Sequence, residues 1–548
     1  MMVAAFKKSF ILGSLSWLAI LGSGQAQNLD APQVPSTSGL IIGHRAPNTS
    51  STFEFLGIKY GQAPIGDLRF APPERYSPPR DTIYNASYWV SALLPLHACS
   101  LAIRDCPANI PPETKFPNFT GNGPEIFSKF TARLGNRQDE DCLALNIWTK
   151  SLPTHGSQGP NKPVFVFFHG GRFTIPGPHS PFYNGQYFAD NEDVVVVTIN
   201  YRLGIFGFPG APGVEQNAGL LDQRLAVEWV HENIAGFGGD PARIVIFGQS
   251  AGGSSVDYWA YAYQQNPIVA GMISHSGTAL SFIPNTPEYS QLIYNNVSST
   301  VGCADGTDTL SCLRRKNITE ILAAARKVPT LPTEALVQAT FHPTVDNVTV
   351  FADYATLGAT GAFARIPYLA GNGDYEAGFY RVSAFNANIT LSPDQWGLYN
   401  ERAFTCPTKY ASDFRVSHGV PTWRYRYMGG FDNLRLYGSW EDYSYSGSYH
   451  GVDLNELFGT AEDVTGEPST SAQQEFSRYM QGAWAAFGRD PEHGLTNYGW
   501  PSYKSGSPSL IRLAPGNQPV GEVFDQAFYD GSCPFVEDND PRPGRGAF

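Results

Sequence analysis

The sequence lacks the features of a membrane protein and of a nucleic-acid-binding protein. After residue 26 no stretch approaches the roughly 18 uninterrupted apolar residues of a membrane-spanning helix. Residues 541–548 are polar rather than a hydrophobic tail, no tract rich in lysine and arginine occurs, and the formal net charge is −12. Because phosphates repel an acidic chain, we expect no nucleic-acid partner and no stable membrane anchor.

The sequence also lacks metal-binding patterns. No two cysteines form a C-x-x-C pair, and their wide spacing argues against a zinc site. In a secreted chain, seven cysteines predict disulfides with one thiol left over. The seven are Cys99, Cys106, Cys142, Cys303, Cys312, Cys406 and Cys533.

The N-terminus has the pattern of a secretory signal peptide. Lys7 and Lys8 precede an apolar run from Phe10 to Leu21, and small residues follow as far as Ala26. This order predicts a signal peptide over residues 1–26 and a soluble, secreted product, since the run is short for a membrane anchor. Seven N-x-S/T sequons agree with secretion and are predicted glycosylation sites. They are Asn48, Asn85, Asn118, Asn296, Asn317, Asn347 and Asn388.

The middle of the chain alternates apolar runs with helix-like segments. Continuous apolar runs at Pro163–Phe168, Val194–Ile199 and Ile244–Phe247 are typical of strands buried on both faces. Helical spacing of apolar residues occurs between residues 221 and 234 and from Ser471 to Phe487. Further strands are predicted at Val269–Ile273, Ile366–Ala370 and Val420–Tyr427. This rhythm predicts an α/β fold with a parallel sheet, and the length alone favours about three domains.

Residues 95–141 break this rhythm. They are rich in proline and show little periodicity, which predicts a long loop with a function, for example a lid. Cys106 and Cys142 bracket most of it, so a disulfide between them would tie it down. The segment 280–365 has helical patches and is interpreted as an insertion between strands.

A G-x-S-x-G motif follows the predicted strand at Ile244–Phe247. It reads Gly248-Gln-Ser250-Ala-Gly252, and a helix-like segment comes next. Strand, sharp turn and helix in this order present the serine as a nucleophile. The sequence therefore predicts that Ser250 attacks a substrate, and the helix N-terminus favours the negative charge that develops.

A serine nucleophile needs a base, an acid that orients the base, and an oxyanion hole. In this kind of fold the acid and then the histidine follow the serine along the chain. His450 is favoured as the base because it lies in a Gly/Ser/Tyr-rich loop beyond a strand, whereas Asp374 and Glu376 share one loop and both remain candidates for the acid. Gly170-Gly171 after a strand, with the amide of Ala251, would supply the oxyanion donors. The other histidines after the serine are His275, His342, His418 and His493.

Eight stretches together carry a resemblance to a known family. They are Gly57–Pro73, Glu140–Asn146, His169–Phe173, Asn200–Gly204, Gly219–Gln223, Phe237–Pro241, Phe247–Gly253 and Tyr449–Gly451. With them the chain resembles the type-B carboxylesterase/lipase family, the cholinesterase-like branch of the α/β-hydrolases, and its filamentous-fungal members most. The resemblance implies one α/β-hydrolase domain over residues 27–548, with a large, mostly parallel central sheet, helices on both faces and long loop insertions.

The resemblance also assigns roles to residues. It implies a triad of Ser250, Glu376 and His450, and it implies no metal and no organic cofactor. The oxyanion hole maps to the amides of Gly171, Arg172 and Ala251. The implied disulfides are Cys303–Cys312, Cys406–Cys533, and Cys142 with Cys106, preferred here, or with Cys99. Two implied structural ion pairs are Arg69–Glu140 and Arg202–Asp222.

Three positions depart from the family pattern. Gln249 replaces the usual glutamate before the serine, the segment from Cys106 to Cys142 has no tryptophan, and Arg172 replaces a third glycine. Cholinesterases use a tryptophan in that segment to hold the choline cation. The first two departures therefore favour neutral esters over choline esters, and the side chain of Arg172 is expected to narrow the pocket.

These observations predict a secreted serine carboxylic ester hydrolase that acts on neutral carboxylic esters through an acyl-enzyme. One alternative is a lipase with residues 106–142 as a lid over an apolar tunnel. A second, less favoured alternative is a non-catalytic, cholinesterase-like binding module. The expected partner is a small-molecule or lipid-like ester, and the sequence determines neither its acyl and alcohol groups nor the oligomeric state.

Overall fold

The long apolar runs of the sequence form strands. The computed structural model describes residues 31–49, 51–87, 104–153, 162–304, 308–329, 339–438 and 445–533. The predicted signal peptide and Cys99 lie outside these residues. The strands are β1 (Gln33–Ser36), β2 (Gly39–Ile42), β3 (His44–Arg45), β4 (Phe53–Lys59), β5 (Ile83–Asn85), β6 (Ala144–Thr149), β7 (Lys162–Phe168), β8 (Val195–Ile199), β9 (Gly239–Gln249), β10 (Gly271–His275), β11 (Tyr368–Gly373), β12 (Thr422–Tyr427), β13 (Leu510–Leu513) and β14 (Glu522–Phe524).

Eleven strands form one sheet. Their order across the sheet is β14, β13, β12, β11, β10, β9, β7, β8, β6, β4, β3. From β13 to β8 in that order every pairing is parallel, and the pairings towards both edges are antiparallel. Strands β1, β2 and β5 form a separate small sheet. The predicted α/β fold with a large, mostly parallel sheet is therefore confirmed.

Helices pack on both faces of this sheet. The helices of the described residues are α1 (Gly123–Phe130), α2 (Gln186–Glu192), α3 (Gly204–Gly207), α4 (Ala218–Asn233), α5 (Ala251–Ala262), α6 (Pro287–Thr300), α7 (Thr309–Arg314), α8 (Ile318–Ala325), α9 (Tyr354–Thr360), α10 (Ala377–Asn386), α11 (Pro393–Asn400), α12 (Cys406–Ser417), α13 (Asp453–Phe458), α14 (Ala461–Thr465), α15 (Ser471–Arg489), α16 (Gly494–Asn497) and α17 (Ala527–Asp530). The segment interpreted as an insertion carries α6 to α9. Contacts group the residues from Pro32 onwards into one compact unit.

Successive side chains of a strand point to opposite faces of the sheet, so the sheet has a hydrophobic core on each side. On β7, Phe165 and Phe167 belong to the cluster that includes Trp484 of α15, whereas Val166 and Phe168 belong to the opposite cluster. α15 thus covers one face of β7, and α5 covers the other. Each buried phenylalanine contributes roughly 1.5–3 kcal/mol relative to an exposed one, so these continuous apolar runs fix the centre of the sheet.

The parallel strands deliver their following loops to a single edge of the sheet. Strands β7, β9, β10, β11 and β12 end at Phe168, Gln249, His275, Gly373 and Tyr427, respectively. In open α/β sheets, ligands bind beyond these carboxyl ends. This edge therefore brings together the residues after each strand that the sequence had singled out.

The segment between Cys106 and Cys142 is not entirely a loop. It contains the short helix α1, in which Pro124 occupies the first turn and Ile126 and Phe127 are buried. Proline is favoured in a first helical turn because its missing N–H has no acceptor there, so the proline content of the segment concealed a helix. The structure joins Cys106 to Cys142, with Cα atoms 5.1 Å apart. It also contains the disulfides Cys303–Cys312 and Cys406–Cys533.

Among the helices of the described ranges, none combines the length and the apolarity that crossing a bilayer requires.

One carboxyl group on α13 is almost completely buried. Glu456 is only 1% exposed, and its Oε1 accepts a hydrogen bond from Gln473 Nε2 at 2.9 Å. Burial raises the pKa of Glu456 to about 8, against the opposing effect of that hydrogen bond. The folded protein therefore keeps this proton at pH values where the unfolded chain has lost it.

The free energy of unfolding should therefore contain a component that falls between pH 5 and pH 8. In this window the unfolded chain binds fewer protons at position 456 than the folded protein. The stabilisation is complete below the unfolded pKa, about 4.3, and is lost as the pH rises through the folded pKa, about 8. From pH 5 to pH 8 the unfolding free energy of Glu456→Gln should therefore fall by roughly 3 kcal/mol less than that of the wild type. Denaturant unfolding of both proteins at the two pH values measures this difference. Equal declines in the two proteins would contradict this account.

Candidate active site

Ser250 forms the tip of the turn between β9 and α5. β9 ends at Gln249 and α5 begins at Ala251, so one residue joins strand to helix. Ser250 has φ 59° and ψ −121°, a backbone conformation that residues with a Cβ rarely adopt. Its amide donates a hydrogen bond to the carbonyl oxygen of His275 at 2.8 Å, which ties the turn to the end of β10. The turn holds the serine at the wall of a cavity.

Two glycines make this turn sterically possible. A Cβ atom on Gly252 would lie 1.9 Å from the carbonyl oxygen of Phe168, and one on Gly248 would lie 2.4 Å from the carbonyl oxygen of Gly252. Both separations are far shorter than any real contact, so neither position accepts a side chain without moving backbone. The two glycines of the motif are thus required by the geometry of the turn.

His450 and Glu376 form a buried pair beside the serine. His450 Nδ1 lies 2.5 Å from Glu376 Oε2, and His450 lines the same cavity as Ser250. A carboxylate can only accept, so Nδ1 carries a proton, and in the neutral imidazole Nε2 then keeps its lone pair. Nε2 has no hydrogen-bond partner among the described residues. The ring of Tyr380 lies 5.0 Å from that of His450; in free enzymes the contact between nucleophile and base often tightens only when substrate binds.

The carboxylate of Glu376 is held by two further donors. Its Oε1 accepts hydrogen bonds from the hydroxyl of Ser276, at 2.7 Å, and from the amide of Gly373. Glu376 is fully buried, whereas Asp374 in the same loop forms an ion pair with Arg426 at 2.6 Å. Of the two acids that the residues alone could not separate, the structure brings Glu376 to His450.

The other histidines that follow the serine lie elsewhere. His275 is fully buried, and its Nδ1 contacts Asp453 Oδ2 at 2.9 Å and the hydroxyl of Tyr425 at 2.8 Å. His342 lies between two backbone carbonyls, and burial lowers its pKa. His418 is half-buried, with Nε2 2.9 Å from the carbonyl oxygen of Ala359, and His493 is exposed. None of these four lines the cavity of Ser250.

The loop after β7 approaches the serine closely. A Cβ atom on Gly170 would lie 3.0 Å from the Cβ of Ser250, and Gly171 and Arg172 line the same cavity. Gly171 has φ 98°, which glycine adopts readily. Ala251 is the first residue of α5, where amides have no acceptor within the helix. The three amides expected to stabilise an oxyanion therefore belong to segments that converge on Ser250.

Packing fixes the start of this loop. His169 is 1% exposed and stacks on the ring of Tyr201, with ring centroids 4.4 Å apart. Burial lowers the pKa of His169 to about 4, so its imidazole is neutral near pH 7. His169 thus anchors the loop.

Two cavities meet at this site. The inner cavity, of about 30 Å³, is lined by Ser250, His450, Gln249 and Tyr380 among others. The outer cavity, of about 370 Å³, lies against residues of the Cys106–Cys142 segment, including Phe127 of α1. The site thus has a narrow reaction space that adjoins a wider one.

Comparisons with known proteins agree with this geometry. The sequence profile of the Carboxylesterase family matches residues 30–395. A chlorogenic acid esterase of Aspergillus niger is 32% identical over 522 residues, which cover 91% of this chain and 93% of that protein. The chain belongs to the carboxylesterase family. It is a carboxylic ester hydrolase, and its substrates are small-molecule esters.

Another fungal protein and a solved structure are also similar to this carboxylesterase. Secreted lipase 5 of Gibberella zeae is 32% identical over 526 residues, covering 90% of this chain and 91% of the relative. A solved structure named thermophylic PNB esterase superposes with a TM-score of 0.72 at 24% identity, covering 91% of this chain and 98% of its own. The solved structure supports the same fold.

The carboxylesterase also contains the two ion pairs that the resemblance implied. Arg69 Nη2 lies 2.5 Å from Glu140 Oε2, and Arg202 Nη2 lies 2.7 Å from Asp222 Oδ1. Both pairs are buried and lack contact with the cavity of Ser250. They hold loops together rather than facing substrate.

The structure reveals contacts of the site that the sequence did not predict. Ser276 donates a hydrogen bond to Glu376, and the rings of Tyr380 and Phe404 lie 5.0 Å and 4.9 Å from that of His450. Ser276 could have been predicted, because it comes directly after strand β10, just as the other site residues come after their strands. Tyr380 and Phe404 gave no such signal, because α10 and the turn after α11 approach the site only in three dimensions.

Proposed function

We propose that this carboxylesterase is a secreted serine hydrolase that cleaves neutral carboxylic esters through a Ser250–His450–Glu376 triad and an acyl-enzyme. The observation that carries the proposal is the 2.5 Å contact between His450 Nδ1 and Glu376 Oε2 in the wall of a cavity shared with Ser250. This contact leaves Nε2 of a neutral imidazole as a base.

Acylation begins with the attack of Ser250 Oγ on the ester carbonyl carbon. Nε2 of His450 takes the hydroxyl proton, and the carbonyl oxygen becomes an oxyanion that the amides of Gly171, Arg172 and Ala251 stabilise. The tetrahedral intermediate collapses, the bond to the alcohol oxygen breaks, and His450 gives its proton to the leaving alcohol. Glu376 holds the imidazole in position and stabilises its charged form.

Deacylation repeats these steps with water. His450 removes a proton from a water molecule, which attacks the acyl carbon and forms a second oxyanion in the same hole. Collapse breaks the bond to Ser250 Oγ, which regains a proton from His450, and the carboxylic acid leaves.

Three measurements test the proposal. Hydrolysis rates of p-nitrophenyl esters from acetate to palmitate show whether esters are cleaved and which acyl length fits. Labelling with a fluorophosphonate, followed by peptide mass spectrometry, should find the adduct on Ser250. A protein that neither hydrolyses the series nor takes the label would be a non-catalytic binding module. The protein is also expressed in a filamentous fungus. N-terminal sequencing of the protein recovered from the culture medium tests secretion and cleavage after Ala26.

The cavity supports neutral substrates. Gln249 is 1% exposed and lines the inner cavity where the family pattern has glutamate. Gln249→Glu would place a carboxylate there, so hydrolysis of acetylthiocholine relative to neutral 3,3-dimethylbutyl thioacetate should rise about 10-fold. The two thioesters share shape and acyl group, so the ratio of their kcat/KM values reports charge alone. An unchanged ratio would show that position 249 does not select substrate charge.

A lipase is the second candidate, favoured by aromatic packing over the site. On α1, the rings of Phe127 and Phe130 lie 5.1 Å and 5.0 Å from that of Phe379, which lines both cavities. A helix so placed would act as a lid if it moved. Activity on tributyrin that jumps above the solubility limit would favour the lipase, and activity that saturates below it would favour the esterase.

A further inference from the structure

A second histidine–carboxylate pair is buried at the end of β10. His275, the last residue of that strand, is fully buried, and its Nδ1 lies 2.9 Å from Asp453 Oδ2. The hydroxyl of Tyr425 lies 2.8 Å from the same nitrogen and 3.2 Å from the same carboxylate oxygen. On the other side of the ring, the indole N–H of Trp484 donates to His275 Nε2 at 3.2 Å. We call these four residues the rear network; they come from β10, α13, β12 and α15.

Hydrogen bonding fixes the position of the proton on the His275 ring. Because an indole N–H can only donate, Nε2 of His275 must keep its lone pair. Nδ1 therefore carries the proton of a neutral imidazole and donates to the carboxylate of Asp453, which also accepts from the hydroxyl of Tyr425. Both ring nitrogens are thus engaged, and His275 is not among the described residues that line the cavity of Ser250. The pair resembles His450–Glu376 in composition, but it is not placed to act as a base on a substrate.

The strand end that carries His275 also holds two members of the triad. The carbonyl oxygen of His275 accepts the hydrogen bond from the amide of Ser250 at 2.8 Å. The next residue, Ser276, donates from its hydroxyl to Glu376 Oε1 at 2.7 Å. A shift of this strand end would therefore move the nucleophile turn and the carboxylate of the triad together.

The carboxylate of the rear network lies close in sequence to the base of the triad. Asp453 is the first residue of α13 and follows His450 by three residues. α13 packs against α15, which carries Trp484. The bonds of the rear network therefore join the end of β10 to the helix that follows His450 and to the helix that supports it.

We propose that His275 is a positioning residue for the triad. Its bonds to Asp453 and Trp484 fix the end of β10, and that strand end aligns the nucleophile and the acid of the triad. The inference rests on the proposed function of Ser250, and it gives a role in the reaction to a residue outside the cavity. A displacement of about 1 Å in a catalytic group can lower a rate about 100-fold, so the role is measurable.

His275→Phe is the main variant, because phenylalanine keeps a flat ring and makes none of these hydrogen bonds. The rate constant for labelling by a fluorophosphonate, normalised to the sites that label at the end of the reaction, should fall about 10–100-fold. For p-nitrophenyl acetate, kcat should fall with KM within about 3-fold of wild type. His275→Gln should recover most of the rate, because its amide can donate to Asp453 and accept from Trp484.

Combination with Glu376→Gln separates positioning from a loss of stability. Groups that act as one catalytic unit show strongly non-additive losses when they are changed together. If His275 aligns the triad, the factor lost on His275→Phe should be at least about 3-fold smaller in the Glu376→Gln protein than in the wild type. A loss that arises only from weakened packing would be the same in both proteins.

Asp530→Asn supplies the matched control, because it alters another buried pair. Asp530 Oδ2 lies 2.6 Å from Arg424 Nη1, and neither residue is in the part of the cavity wall at Ser250 that the structure describes. The variant should lower the stability. Its labelling rate per site should stay within about 2-fold of wild type, because sites that share no partners contribute independently.

The outcomes separate the inference from the proposed function. A wild-type labelling rate in His275→Phe would overturn the inference, and so would a loss of equal size with and without Glu376→Gln. Should His275→Phe not fold, Trp484→Phe removes only the donor to Nε2, and its expected loss is about 3–10-fold. An unchanged rate in that variant would overturn the inference as well. A wild-type protein that takes no label at Ser250 would instead contradict the proposed function.

Discussion

Ser250→Ala should lower kcat for ester hydrolysis by about 10⁴–10⁶-fold. The hydroxyl oxygen is the proposed atom that bonds to the acyl carbon, and no second serine, threonine or cysteine is among the described residues that line the inner cavity. The oxyanion donors and the binding walls remain, so a residual rate above that of water is expected. The measurement is single-turnover and steady-state hydrolysis of p-nitrophenyl acetate, with fluorophosphonate labelling in parallel.

A matched control separates the reaction from the fold. Ser254 lies one turn further along α5, and its hydroxyl donates a hydrogen bond to the carbonyl oxygen of Thr278 at 2.9 Å. Ser254→Ala should therefore retain kcat and the labelling, at a modest cost in stability. Near-normal hydrolysis by Ser250→Ala, measured on protein free of contaminating esterase, would eliminate the triad mechanism.

Glu376→Gln should lower kcat by about 10³–10⁴-fold while leaving the fold intact. An amide can donate a hydrogen bond to Nδ1 of His450, which would favour the tautomer with its proton on Nε2. That proton removes the lone pair that takes the proton of Ser250. The amide also cannot stabilise the imidazolium that forms during attack. The expected signature is a fall in kcat with little change in KM, measured on a p-nitrophenyl ester.

Asp374→Asn provides the control for this substitution. Asp374 is in the same loop, yet its carboxylate pairs with Arg426 rather than with His450. The variant should keep kcat within a few-fold of wild type, because an ion pair that is partly exposed contributes little to the site. If the two variants lost activity equally, the acid of the triad would have to be assigned differently.

The centre of the fold could be predicted from the sequence because its strands are buried on both faces. Runs such as Pro163–Phe168 have no polar residue to suggest any other structure, and β7 covers that run. The short edge strands, such as β3 and β14, could not be predicted in this way. They are half-exposed, and their pairing depends on neighbours that are distant in sequence.

In the candidate site, too, the residues with a local sequence pattern could be predicted, and those placed by long-range packing could not. Ser250 could be found because its turn imposes a local pattern of glycines, and His450 because a flexible loop follows a strand. The choice between Asp374 and Glu376 depends on which carboxylate reaches the histidine in three dimensions. Residue spacing left both acids open, and only the resemblance to the family implied Glu376. The contact between the rings of Tyr380 and His450 depends on how α10 packs, so no short sequence pattern could reveal it.

The glycine-filled turn around Ser250 limits how this protein can be varied in a library of mutants. Positions 248 and 252 have no room for even one methyl group, because a Cβ atom would meet backbone at 2.4 Å and 1.9 Å. Positions 249 and 172 also line the reaction space, and neither of them is a glycine. Randomising Gln249 and Arg172 while keeping both glycines therefore explores new substrates at the smallest risk of losing the fold.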